Sequence, residues 1–154
     1  MSFRITGLAA ETFAPLFTLS EDALRERGAV RKTVDQPNAY PCRISLTDAE
    51  PGDTVLLTHF EHHPVDSPFR SSYAIYVREG ERTYDSVDQV PDQLRRRLLA
   101  VRAFDDAGML LDAEVIDGKA LEPLIERLFA NRQTRYLHVH FAKAGCYAAK
   151  IERA

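Results

Sequence analysis

No apolar run in the chain approaches the roughly 18 residues needed to span a bilayer, which argues against a membrane protein. The amino terminus, Met1 to Gly7, lacks the apolar core of a secretion signal, so the cytoplasm is the expected compartment. There are only two cysteines, Cys42 and Cys146, and in a reducing compartment they are expected as free thiols rather than as a disulfide. Positive charge is not in surplus. Twenty Lys and Arg stand against 23 Asp and Glu, a net charge of −3, which argues against a general nucleic-acid binder. There is no internal repeat and no low-complexity segment. What is left is an ordinary soluble composition, 45% hydrophobic and 28% charged over 154 residues, enough for one domain spanning residues 1–154.

The chain reads as alternating short elements. Phe3 to Thr6 is strand-like and stops at Gly7, and Glu11 to Phe17 predicts a short helix limited by Pro15. Ser20 is a good helix cap, with acidic Glu21 and Asp22 in the first turn and Gly28 at the end. Ala29 to Thr33 and Thr54 to Phe60 predict strands, the second a central one. Tyr73 to Arg78 predicts another, after a long irregular stretch from Glu61 to Ser72. Pro91 suits the start of a helix running to about Leu99, with Arg95, Arg96 and Arg97 on its wet face. Leu121, Leu124, Ile125, Leu128 and Phe129 have the spacing of an amphipathic helix packed on a sheet, and Pro123 places its start near Ala120. Asp106-Ala107-Gly108 predicts a three-residue hairpin loop that sets Arg102 opposite Asp112.

Reactive chemistry concentrates in Tyr136-Leu-His-Val-His-Phe-Ala-Lys-Ala-Gly-Cys-Tyr147. Leu137, Val139 and Phe141 alternate with Tyr136, His138 and His140, as in a strand with one apolar face. If Lys143-Ala144-Gly145 is a three-residue loop, Ala142 pairs with Cys146, His140 with Ala148 and His138 with Lys150. Cys146 then stands diagonal to His140, while Tyr147 faces the core. Three chemistries fit this hairpin. His138 and His140 can be polar residues of a half-wet strand, with Cys146 a small hydrophobe. The H-x-H pair can bind a divalent transition metal, as in cupins, but the further Glu and His that cupins use do not follow, so a third ligand would come from His59, His62, His63 or a cysteine. Or Cys146 is a nucleophile whose thiolate is favoured by His140 or Lys150.

A second constellation lies upstream. Arg43 and Arg70 are the arginines suited to grip a carboxylate or phosphate, since a planar guanidinium donates two hydrogen bonds at once. Their alternative is a structural ion pair for Arg43, with Asp48 or Asp53, and a solvated loop charge for Arg70. His62-His63-Pro64 reads as polar loop, and Cys42 as buried and inert.

The run Phe3-Arg-Ile-Thr-Gly-Leu, the run Tyr40-Pro-Cys-Arg-Ile-Ser-Leu-Thr-Asp-Ala-Glu-Pro-Gly-Asp53, then Ser67-Pro-Phe-Arg70, and finally His138-Val-His-Phe-Ala-Lys-Ala-Gly-Cys-Tyr147 together resemble one family. It is the group of short bacterial proteins known as domain of unknown function 1203. The resemblance covers nearly the whole chain in order. It implies a bacterial, single-domain, cytoplasmic protein of about this length, and it carries no activity, cofactor or substrate.

The expected fold is α+β: a largely antiparallel, curved sheet of about eight strands with the C-terminal hairpin central, and about three helices packed on one side. Two functions fit. The first is a small-molecule enzyme or binding protein for a small anionic ligand. Its pocket would be lined by His138, His140, Cys146, Cys42, Arg43 and the loop from His59 to Ser72, Arg70 and Tyr147 included. The second is a non-catalytic domain that acts through protein–protein contact, expected as a homodimer, with the histidine face covered by a partner. A pocket into which both Pro-Cys-Arg and Gly-Cys-Tyr open would favour the first.

Overall fold

The computed structural model describes all 154 residues, and it is α+β with an antiparallel sheet at its centre. The chain begins with β1 (Phe3–Thr6), α1 (Ala10–Phe13), α2 (Glu21–Glu26) and β2 (Ala29–Thr33). Ser20 caps α2 as its sequence suggests, its hydroxyl accepting from the Ala23 amide at 3.2 Å. Next come β3 (Thr54–His63), β4 (Ser71–Val77), β5 (Asp85–Val87), α3 (Asp92–Arg95), β6 (Leu98–Phe104) and β7 (Leu110–Asp117). The chain closes with α4 (Leu121–Ala130), β8 (Tyr136–Phe141) and β9 (Tyr147–Arg153). No helix is long and apolar enough to cross a membrane.

The strands divide into two sheets rather than one. Six form the order β5-β1-β9-β8-β6-β7, and β2-β3-β4 form a second sheet. The hairpin of β8 and β9 is central in the larger sheet, as expected. Its apolar face carries Leu99, Val101, Leu137, Val139, Ala149 and Ile151, which join α4 residues Leu121, Leu124, Ile125 and Leu128 in the main core. All but Leu124 in this set are at most 2% exposed, so this packing is the chief source of stability. The smaller sheet has its own core, in which Leu56, Ile75 and Val77 meet Phe13, Leu24 and Ile44.

Three expectations about local structure need correction. The helix after Pro91 is a single turn that ends at Arg95, because Leu99 and Val101 are required in the sheet and β6 starts at Leu98. Arg96 and Arg97 are not a wet helix face. Both reach the Asp48 carboxylate, at 3.2 and 3.0 Å, and that side chain is only 4% exposed. Around Gly108 the loop forms as predicted, with φ of +77°, but a bulge between Ala103 and Phe104 slides the register, so Arg102 faces Ala113 and Asp112 faces Ala103.

The C-terminal hairpin is altered in the same way, with larger consequences. His138 does pair with Lys150 and Val139 with Ala149. Beyond them a bulge at Ala148 lets His140 face Tyr147, and the Phe141 amide donates to the Cys146 carbonyl at 2.9 Å. The turn therefore spans Ala142 to Gly145, one residue longer than predicted, with Gly145 at φ of +83°, a conformation open to glycine. Because side chains alternate along a strand, this one-residue slip exchanges faces. Tyr147 joins the histidines, and Cys146 turns to the side of Phe141.

Candidate functional site

Two sites arise where sequence reasoning expected one. The first is a closed cluster of imidazoles between the sheets. The bulge between Phe60 and His63 interrupts strict alternation in β3, and the adjacent His62 and His63 both reach the large sheet. The His62 ring stacks on Tyr147 at 5.2 Å and meets His140 edge-on at 5.2 Å. The His63 ring lies 5.0 Å from His138 and 4.2 Å from Phe104. His138 and His140 are thus not on a half-wet face: they are 4% and 1% exposed. Nor is this face free for a second copy of the chain, since β3 of the same chain covers it.

Hydrogen bonds assign two of the four tautomers. A carbonyl only accepts, so Nδ1 of His63 carries the proton given to the Phe69 carbonyl at 2.8 Å, and the Tyr136 hydroxyl donates to Nε2 at 2.6 Å. By the same logic His140 donates from Nδ1 to the Gly145 carbonyl at 2.9 Å, and its Nε2 is an unpartnered acceptor. Nδ1 of His138 and both nitrogens of His62 are also buried without partners. Burial pushes His62 and His140 down to about 4 and His138 down to about 2, so all three are neutral at pH 7. Burial holds the Tyr147 phenol well above its ordinary value. No group of three or more His, Cys, Asp or Glu side chains is arranged in this structure to hold a metal ion.

The second site is an open cleft of about 1030 Å³ between β4 and the turn of the C-terminal hairpin. Arg43 lies at its base, 1% exposed, its backbone pinned to β4 through the Tyr76 carbonyl at 3.0 Å. Its Nε donates to the Tyr147 carbonyl at 2.8 Å and its Nη1 to the Pro41 carbonyl at 2.5 Å. Nη2 donates to no oxygen, and no carboxylate lies within ion-pairing distance, so neither Asp48 nor Asp53 is its partner. The guanidinium stands 5.0 Å over the Phe141 ring, as does that of Arg97. Burial lowers the pKa of Arg43, and the adjacent Cys146 sulfur raises it again.

Cys146 is partly exposed and lines this cleft with Lys143, Tyr73 and Tyr76. Its cationic neighbour is therefore Arg43 and not His140, and the expected Cys146–His140 pair does not form, because the longer turn places the thiol on the other face. Cys42, by contrast, is fully buried and its thiol is pushed up to about 12 by burial. His59 and Arg70 stand outside both sites: His59 is exposed with Nε2 3.0 Å from the Ser72 hydroxyl, and Arg70 forms an exposed ion pair with Glu61 at 2.8 Å. Tyr147 contributes its ring to the imidazole cluster and its carbonyl to Arg43. Arg97, Lys143, Tyr73 and Tyr76 were not legible as cleft residues, since no local pattern brings residues so distant in sequence together. His62 and His63 had one signal, the strand pattern of Thr54 to Phe60, which continues into them.

The geometry defines an α+β protein of two sheets with a cationic cleft and a buried imidazole cluster. Its sequence matches the model of the family described as protein of unknown function (DUF1203) over residues 39–153, and the chain belongs to that family. No curated protein and no solved structure matches it.

Proposed function

We propose that the protein binds a small organic anion in the cleft beside Arg43, as a ligand-binding protein or an enzyme of small molecules in the bacterial cytoplasm. One observation carries this reading: the cleft is lined by three cationic side chains, Arg43, Arg97 and Lys143, and by no acidic one. Asp48 neutralises Arg97 from behind, while Arg43 is buried with its charge uncompensated by any carboxylate. A buried cation of this kind is costly unless an anion meets it, and a guanidinium offers a carboxylate or phosphate paired donors. Tyr73, Tyr76, Leu98 and Phe141 supply an apolar and aromatic wall, which suits an anion with a planar or hydrocarbon body. That Pro41-Cys42-Arg43 and Gly145-Cys146-Tyr147 both contribute to this one cleft favours ligand binding over a purely structural role.

The test is titration of the protein with benzoate and phenyl phosphate, followed by amide chemical shifts, with benzamide as the neutral control. Saturable shifts at Arg43, Tyr76 and Lys143 with the anions, absent with benzamide and weakened in Lys143→Glu, are expected. Equal response to benzamide, or none to either anion, overturns the reading.

A further inference from the structure

We propose that Cys146 is a modification site for low-molecular-mass disulfides that bear carboxylates, which the cleft draws in and the thiol captures as a mixed disulfide. The inference rests on the cleft being an anion site and adds a covalent chemistry to it.

The two cysteines of this chain differ in their access to solvent. Cys42 has no exposed surface, its sulfur meets the Tyr40 carbonyl at 3.7 Å, and burial in the small core with Val34 and Val55 disfavours its thiolate. Cys146 is partly exposed at the wall of the cleft, next to the buried guanidinium of Arg43. Thiolate is the attacking species, so a fixed cation beside the sulfur and access for the co-reactant are the two requirements. Both are met here, and the second, independent feature is Arg43 itself, 99% removed from solvent and with Nη2 unused by any oxygen. An anionic disulfide is attracted by Arg43, Arg97 and Lys143. The thiolate it releases is also an anion that departs from a positive surface.

The balance is that of thiol–disulfide exchange. Cys146 loses its proton to solvent, and its Sγ attacks one sulfur of the small disulfide. The Sγ–S bond forms as the original S–S bond breaks, and the departing thiolate leaves with the electron pair and takes up a proton. Cys146 is thereby oxidised to the disulfide level and the released half is reduced to a thiol. Cys42 does not line the cleft, so no second protein thiol resolves the adduct there, and an external thiol must reverse it.

The experiment compares an anionic aromatic disulfide, dithiobis(nitrobenzoate), with neutral dipyridyl disulfide on the whole chain, using mercaptoethanol as the reference thiol. One adduct per chain is expected, on the peptide that holds Cys146. The anionic-to-neutral rate ratio should exceed that of mercaptoethanol by about tenfold at low salt, as for electrostatically steered association. It should fall towards the reference as salt shortens the screening length. Lys143→Glu, at an exposed turn position, should lower the anionic rate several-fold more than the neutral one. A ratio equal to that of mercaptoethanol, an adduct on Cys42 at a similar rate, or no adduct overturns the proposal. If benzoate still shifts the cleft amides while Cys146 stays inert, this inference falls and the anion-binding reading stands; if neither occurs, both fall.

Discussion

Lowering the pH from about 7.5 to about 5.5 leaves most carboxylates charged but crosses the ordinary titration range of histidine, so it isolates the imidazole cluster. His62, His138 and His140 have ordinary values of 6.5 and are held at about 4, 2 and 4 by burial. The sign follows from linkage. Between 6.5 and the folded values the unfolded chain binds protons that the folded chain refuses, so stability is full above 6.5 and falls as the pH drops. Over the stated interval each imidazole forfeits about 1 kcal/mol, His62 the least because solvent screens it most, and the three together about 3 kcal/mol. For a chain of this size that corresponds to a fall in Tm of about 6–12 °C. The assay is thermal or urea unfolding in steps of pH at constant ionic strength. His62→Gln removes one of three groups and should flatten the slope by about a third. A stability that is level between those two pH values, or unchanged in slope by His62→Gln, would refute the burial of neutral imidazoles as the cause.

Other perturbations probe the remaining parts. Tyr136→Phe leaves Nε2 of His63 as a buried acceptor without its 2.6 Å donor and should cost about 1–2 kcal/mol in unfolding free energy. Asp48→Ala strips the shared carboxylate from Arg96 and Arg97, and its near-complete burial sets the loss at about 2–4 kcal/mol, read from denaturant midpoints. Ile125→Ala, in the centre of the helix–sheet core, should cost about 2–5 kcal/mol by the same assay. Arg43→Lys keeps a charge but cannot maintain paired donors to Tyr147, Pro41 and an anion together, so affinity for benzoate should drop about tenfold while the chain stays folded.

Much of the architecture is written locally. The strict alternation of Tyr136 to Phe141, the helical spacing of Leu121 to Phe129 and the cap at Ser20 each rest on contacts within one element or its immediate partner, and each formed as read. The partition into two sheets was not legible, because β3 shows the same apolar run whether it lies in one sheet or the other. The bulges were also hidden: Ala148 and Leu111 carry no side-chain feature that marks them as extra residues, yet each moves its neighbours to the opposite face. Hence the residues singled out in the sequence are grouped differently in the fold. Cys146 and Arg43 share a cleft, the histidines share a seam, and His59 and Arg70 share neither.

The compensation between the four-residue turn and the bulge at Ala148 has a consequence for how this hairpin can vary. The two irregularities cancel by His138, so the outer part of the sheet is indifferent to whether both are present or both absent. Closing the bulge by drawing Ala142 from the turn into the strand, with no change in chain length, would leave every pairing from Val139 outward intact, yet it would carry the thiol across to the imidazoles and send the tyrosine ring into the core. A small change in turn length, neutral to most of the fold, thereby separates a thiol paired with a guanidinium from one paired with an imidazole. Within such a hairpin, the length of the turn decides the chemistry.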